Sequence, residues 1–128
     1  MTAAYVDSSV LVAIAFGEPG SAATSRRLAR LESLYSANLT EAEVLATLAR
    51  EGVGEGTHDS LFASLSWVLP ARPLTAEITR TLQAGRLRGA DLWHVACALY
   101  LEPEPDELVF LTLDANQKAA AARLGFSV

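Results

Sequence analysis

The sequence predicts an α/β fold, a three-layer α/β/α sandwich about a mostly parallel central sheet. Short, nearly all-apolar stretches of strand length alternate with helix-length segments from one end of the chain to the other. Glycine and proline punctuate the junctions. Strands that are apolar on both sides, joined by helices, belong to a parallel sheet covered on both faces.

Each element follows from local pattern. Ala3 to Val6 is a buried strand ending at Asp7. Val10 to Phe16 forms a short apolar helix, broken by Gly17-Glu18-Pro19-Gly20. Ser21 to Leu34 reads as a helix, with Leu28, Leu31 and Leu34 at threefold spacing, and Tyr35 to Ala37 as a weak strand. Asn38 or Thr40 opens a helix carrying Val44, Leu45 and Leu48, which Gly52, Gly54 and Gly56 end. Thr57 to Leu69 reads as a helix closed by Pro70, and Ala71 to Leu74 as a strand.

Thr75 to Ala84 follows as a helix, with Gly85 and Gly89 in the next loop. Leu92 to Leu101 is apolar almost all round, which marks a central helix. Pro103 and Pro105 mark an exposed turn. Leu108 to Leu113 is a buried strand, Ala115 to Leu124 a helix stopped by Gly125, and Phe126 to Val128 an edge strand.

The chain has 128 residues, the size of one domain spanning 1–128. Apolar residues make up 51%, enough for a sizeable core, and charged residues 20%, too few for long disorder. No apolar run approaches the ~20 residues of a membrane span. No secretory signal is expected at the N-terminus, and the single Cys97 forms no internal disulfide. A cytoplasmic protein is the expectation. The formal net charge of −5 argues against a general nucleic-acid binder, yet says nothing of where the charges lie. Nearly all positive charge is arginine, with Arg26, Arg27 and Arg30 in one group and Arg86 and Arg88 in another. Arginine suits bidentate phosphate contacts, though such groups also serve as solvated helix faces.

Four acids stand at the edges of apolar segments: Asp7, Glu43, Asp91 and Asp114. In a parallel sheet the functional crevice lies beyond the carboxyl ends of the strands, where Asp7 and Asp114 fall. Gathered carboxylates repel one another, and a hard divalent cation relieves that repulsion. Each acid also has a structural reading. Asp7 and Asp91 are each placed to cap a helix. Asp114, in Thr112-x-Asp114-x-Asn116, suits an Asx turn or a polar ligand cluster. Thr40-x-x-Glu43 is a capping box, and an earlier box starting at Asn38 would use Glu41 and free Glu43. Spacing alone leaves Glu41 against Glu43 open. Asp91 opens an apolar helix, where an isolated charge is costly. His94, one turn on, reads as a structural histidine. No histidine pair or Cys-His spacing suggests zinc, and His58 is remote.

These motifs resemble the PIN domain, in particular the VapC-like toxins of toxin–antitoxin pairs. Tyr5-Val6-Asp7-Ser8-Ser9-Val10-Leu11 looks like the opening strand and first acid. Thr40-Glu41-Ala42-Glu43-Val44-Leu45 looks like the second motif and assigns its acid to Glu43. Leu87-Arg88-Gly89-Ala90-Asp91-Leu92-Trp93-His94-Val95-Ala96 looks like the third, with Trp93 in place of a smaller aliphatic residue. Leu111-Thr112-Leu113-Asp114, with Ala122-Arg123-Leu124-Gly125-Phe126, looks like the fourth motif and the family ending.

The resemblance implies a Mg²⁺- or Mn²⁺-dependent endoribonuclease, a homodimer neutralised by a small VapB-like antitoxin. Asp7 and Asp91 would be direct metal ligands, completed by Glu43 and Asp114. Ser8, Thr112 and Asn116 would support them, and Arg88, with Arg86, would touch the RNA backbone. The alternatives are a catalytically inactive PIN-like interaction module, or a Mg-dependent phosphatase or receiver-like domain. The last two fit poorly. Ser9 stands where a phosphatase of the haloacid-dehalogenase type needs a second aspartate, and Lys118 comes four residues after Asp114.

Overall fold

The computed structural model describes residues 3–53, 56–105 and 107–128. Its sheet has four strands: β1 (Ala3–Val6), β2 (Ser33–Ala37), β3 (Leu65–Val68) and β4 (Val109–Leu111). All pair in parallel, in the order β3-β2-β1-β4. Helices α1 (Ser8–Ala15), α2 (Ser21–Ala29), α3 (Leu39–Arg50), α4 (Thr57–Phe62), α5 (Thr75–Ala84), α6 (Gly89–Leu101) and α7 (Ala115–Leu124) connect them.

Side-chain alternation along β1 divides the core into two layers. Ala4 and Val6 pack with Val10, Leu11, Leu34, Val44 and Leu48 beneath α1 and α3. Tyr5, between them in sequence, faces the other way, onto Val95, Ala98, Leu99 and Phe110 under α6. β4 repeats the division, with Val109 and Leu111 in the first layer and Phe110 in the second. α6 is buried continuously from His94 to Leu99, as its all-round apolar sequence requires. The result is the α/β/α sandwich that the alternating pattern predicts.

Several element boundaries differ from those expected. The helix from Ser21 stops at Ala29, and Leu34, read as its last leucine, lies in β2 opposite Ala4. The threefold leucine spacing therefore crosses a boundary. The expected helix from Thr57 to Leu69 is a short α4 followed by strand β3. Ala71 to Leu74 forms no strand, and Leu74 instead leads into α5. The first helix starts at Ser8, two residues early, because Asp7 caps it. The last helix ends at Gly125, whose φ of 105° favours glycine. Beyond it, Ser127 makes only an isolated parallel bridge to Val109 rather than a strand. Gly54 and the His58 side chain lie outside the described residues.

The chain runs outward from β1 through β2 to β3, then returns to add β4 on the other side of β1. The direction of winding therefore reverses between β1 and β4. At such a switch point the loops part and leave a crevice above the strand ends. Asp7 follows β1 directly, and Thr112 follows β4 directly.

Candidate metal centre and its hydrogen-bond frame

Two of the four acids serve as helix caps. Asp7 caps α1, Oδ2 accepting from the Ser9 N–H at 3.1 Å. Asp114 caps α7, Oδ1 accepting from the Gln117 N–H at 2.7 Å. Capping fixes where each carboxylate sits without consuming both of its oxygens. Asp7 is only 3% exposed, and Asp114 is half-buried.

The other two are not caps. α6 begins at Gly89, so Asp91 lies in its first turn, where the helix dipole favours an anion. Neither capping box forms, since Asn38 makes no side-chain cap. Thr40 instead bonds Ser36 Oγ at 2.6 Å. Ser36 Oγ donates to the Val6 carbonyl at 2.6 Å, so the Thr40 hydroxyl donates to Ser36. Glu43 is half-buried, and its Oε1 meets His94 Nε2 at 2.6 Å. Glu41 is exposed. Between the two acids left open by spacing, only Glu43 turns towards the crevice.

The four acids are thus brought to one end of the sheet from four separate elements. Electrostatics records their proximity. The Asp91 carboxyl is held above its ordinary range, first by burial and then by the negative charges of Asp114 and Asp7. Glu43 adds to it. Asp91 and Asp114 line a pocket of ≈ 290 Å³ together with Arg86, Leu87, Arg88 and Asn116. A cavity of ≈ 330 Å³ elsewhere is lined by Leu11, Ile14, Leu28, Leu34, Leu61 and Leu65 among others, and by no titratable group among the described residues.

A frame of neutral side chains holds the acids. Ser9 Oγ accepts from the Leu113 N–H at 3.1 Å and lies 3.4 Å from Thr112 Oγ1. Thr112 Oγ1 accepts from the Asp114 N–H at 3.0 Å and donates to Gln117 Oε1 at 2.5 Å. Its contact with Asp7 Oδ2 is longer, at 3.5 Å. The single hydroxyl proton goes to the nearer acceptor. Gln117 is fully buried, and its Nε2 donates to Asp7 Oδ1 and to the Asp91 carbonyl, both at 3.2 Å. Both of those partners only accept, so the amide orientation is fixed. His94, also fully buried, meets the Tyr5 hydroxyl at Nδ1, 2.6 Å away. Its Nε2 lies 3.7 Å from Asp7 Oδ1.

Of the supporting residues expected, Thr112 is central to this frame. Asn116 is exposed at the pocket rim. Ser9 makes the contacts anticipated for Ser8, whose side chain makes no hydrogen bond among the described residues. Arg88 and Arg86 are exposed beside the acids. Among the described residues neither guanidinium has an ion-pair or hydrogen-bond partner. Arg72, Arg80 and Arg123 are instead occupied by Glu77, the Pro103 carbonyl and the Ala84 carbonyl. Sequence reasoning missed Gln117 and Tyr5, and read His94 as merely structural. The signal available for His94 was its place one turn after Asp91.

The donors are hard carboxylate oxygens, which suit Mg²⁺ or Mn²⁺. Among the described residues, no group of three His, Cys, Asp or Glu side chains is arranged to hold an ion by itself. Magnesium takes one or two carboxylates and keeps several waters, so this donor set fits it. Gln117 ties the Asp7 carboxylate to the Asp91 backbone carbonyl.

The PIN domain family model matches residues 4–123 of the chain. No curated protein matches it. Among the described residues, no helix is long and apolar enough to cross a membrane.

Proposed function

Since the chain belongs to the PIN domain family, whose members are generally nucleases, we propose that it is a metal-dependent endoribonuclease, the VapC-like toxin of a toxin–antitoxin pair. One observation carries the reading. Acids from four elements converge at the switch point, where the Asp91 pKa is raised first by burial and then by the charges of Asp114, Asp7 and Glu43. Such mutual repulsion disfavours the metal-free protein and favours a bound divalent cation.

Asp7 and Asp91 would hold Mg²⁺ or Mn²⁺, with Glu43 and Asp114 completing the set directly or through water. The bound ion supplies Lewis-acid polarisation of a phosphoryl oxygen and lowers the pKa of an attacking water. The chain's own residues do the rest. Arg88 and Arg86, exposed and unengaged, offer guanidinium donors to the RNA phosphates beside the acids. Gln117 holds both the Asp7 and Asp114 carboxylates in one orientation, through its side-chain amide and its backbone N–H, which spares the site reorganisation on binding.

The partners in this reading are an RNA substrate, a small VapB-like antitoxin and a second copy of the chain in a homodimer, in the cytoplasm. The test is cleavage of RNA with Mn²⁺, with chelator and with Asp7→Asn, alongside calorimetric Mn²⁺ titration. Cleavage should vanish with chelator and in the variant. A wild-type protein that binds no Mn²⁺ is an inactive interaction module instead. In cells, expression should arrest growth, and a co-expressed antitoxin should relieve it.

A further inference from the structure

The buried contacts around His94 form a chain with a fixed direction. It begins at the Ala37 N–H, which donates to the Tyr5 hydroxyl oxygen at 3.0 Å. Tyr5 is fully buried, and its ring is stacked on Phe110 with centroids 5.2 Å apart and planes 6° from parallel. The hydroxyl is therefore held in place at both ends. A phenol, with an ordinary pKa of about 10, keeps its proton at neutral pH. The nearest acceptor for that proton is His94 Nδ1, at 2.6 Å. An imidazole that accepts at Nδ1 carries its own proton on Nε2. Nε2 then donates to Glu43 Oε1 at 2.6 Å, far closer than Asp7 Oδ1 at 3.7 Å.

We infer that Tyr5 and His94 are positioning residues for the site: Tyr5 locks His94 as the Nε2–H tautomer, and His94 holds the Glu43 carboxylate in its working orientation. This deepens the nuclease reading and rests on it for the function of Glu43. The geometry explains why a half-buried carboxylate on α3 turns to the crevice rather than to solvent. Among the described residues, Glu43 has no other side-chain hydrogen bond, so its orientation depends on His94. Reversing the tautomer would set a bare nitrogen lone pair against the carboxylate and release it. Tyr5 itself is sealed in the core and touches neither pocket nor rim, so any effect it has must pass through the imidazole.

Tyr5→Phe removes one oxygen and keeps the ring stack. In metal-free wild type, ¹⁵N-correlated NMR of the imidazole should show a protonated Nε2 and a bare Nδ1. In Tyr5→Phe the Nδ1–H tautomer should appear. Mn²⁺ affinity and kcat for RNA should each fall about 10- to 100-fold, with KM unchanged, as when an outer hydrogen-bond partner of a ligand is lost. His94→Gln, whose amide can donate to Glu43 without help from Tyr5, should retain more activity than His94→Ala. A wild-type imidazole protonated on Nδ1 overturns the proposal. So does a Tyr5→Phe variant whose tautomer changes while Mn²⁺ affinity and kcat stay within about twofold of wild type. Should Tyr5→Phe fail to fold, the wild-type spectrum and the His94 pair decide. A wild type that binds Mn²⁺ without cleaving RNA removes the nuclease reading and leaves the relay to be judged on the spectrum and the affinities.

Discussion

Gln117 and Asp7, 110 positions apart in the chain, are joined by a buried 3.2 Å hydrogen bond from Nε2 to Oδ1. The second amide hydrogen goes to the Asp91 carbonyl, so one neutral side chain ties the end of β1 to the first turn of α6. An amide does this without adding charge. A lysine or arginine at the same place would neutralise Asp7 and compete with a cation for it.

Gln117→Met keeps most of the volume and removes both functions of the amide. Thr112 would lose its acceptor and Asp7 a donor in a buried setting. The variant should be less stable by about 1–3 kcal/mol, the usual cost of orphaning a buried polar partner. Urea denaturation would read this as a lower midpoint with unchanged slope. Mn²⁺ affinity should fall as well, because Asp7 would no longer be held in place.

Asp91→Asn should separate stability from activity. The folded protein holds the Asp91 carboxyl above its unfolded pKa, so the native state binds this proton more tightly than the unfolded chain does. Relative to asparagine, wild type then loses stability as pH rises through the unfolded carboxylate value, and the loss is complete above the raised native value. At pH 7 without metal the variant should melt higher, by on the order of a few °C, and the gap should close in acid. Added Mn²⁺ should raise the wild-type melting temperature and not that of the variant. RNA cleavage should be lost throughout. A wild type more stable than Asp91→Asn at neutral pH in chelator would contradict the repulsive cluster.

Much of this was legible in the sequence, and the gaps have physical causes. Ala3 to Val6, Thr75 to Ala84 and Ala115 to Leu124 were readable because apolar pattern, caps and breakers agree there. The stretches 21–34 and 57–69 misled because helical spacing in each runs on into a strand whose partner is distant. Leu34 pairs with Ala4, and Leu65 with Leu34, and neither pairing leaves a local trace. The four acids were visible because carboxylates at the ends of apolar segments are conspicuous. Gln117 and Tyr5 were not, since a glutamine in a helix and a tyrosine in a strand are ordinary until the fold sets them against Asp7 and His94.

Glu43→Gln and Glu41→Gln should behave differently. Glu41 is exposed, and its substitution should change stability by no more than about 0.5 kcal/mol and leave cleavage intact. Glu43→Gln removes a carboxylate that His94 Nε2 meets at 2.6 Å and that helps raise the Asp91 pKa, after burial and the charges of Asp114 and Asp7. Cleavage should drop by at least about tenfold, in line with loss of a metal-site group. Parallel single-turnover assays on the two variants would test this, and equal, mild effects would remove Glu43 from the site.

Arg86→Ala and Arg88→Ala address the substrate side. Both arginines are exposed beside the Asp91–Asp114 pocket and unengaged among the described residues. A chain of net charge −5 with an acidic centre repels RNA overall, so local cations must offset that repulsion where the backbone enters. If each arginine neutralises one phosphate, each variant should bind RNA more weakly. The slope of log K against log salt should become shallower by about 0.7 per residue lost, the value for single strands. Binding measured over a salt series with Asp7→Asn as background avoids cleavage during the assay. An unchanged slope would show that the RNA path avoids this rim. In that case Arg26, Arg27 and Arg30, around the C-terminal end of α2, become the next group to test.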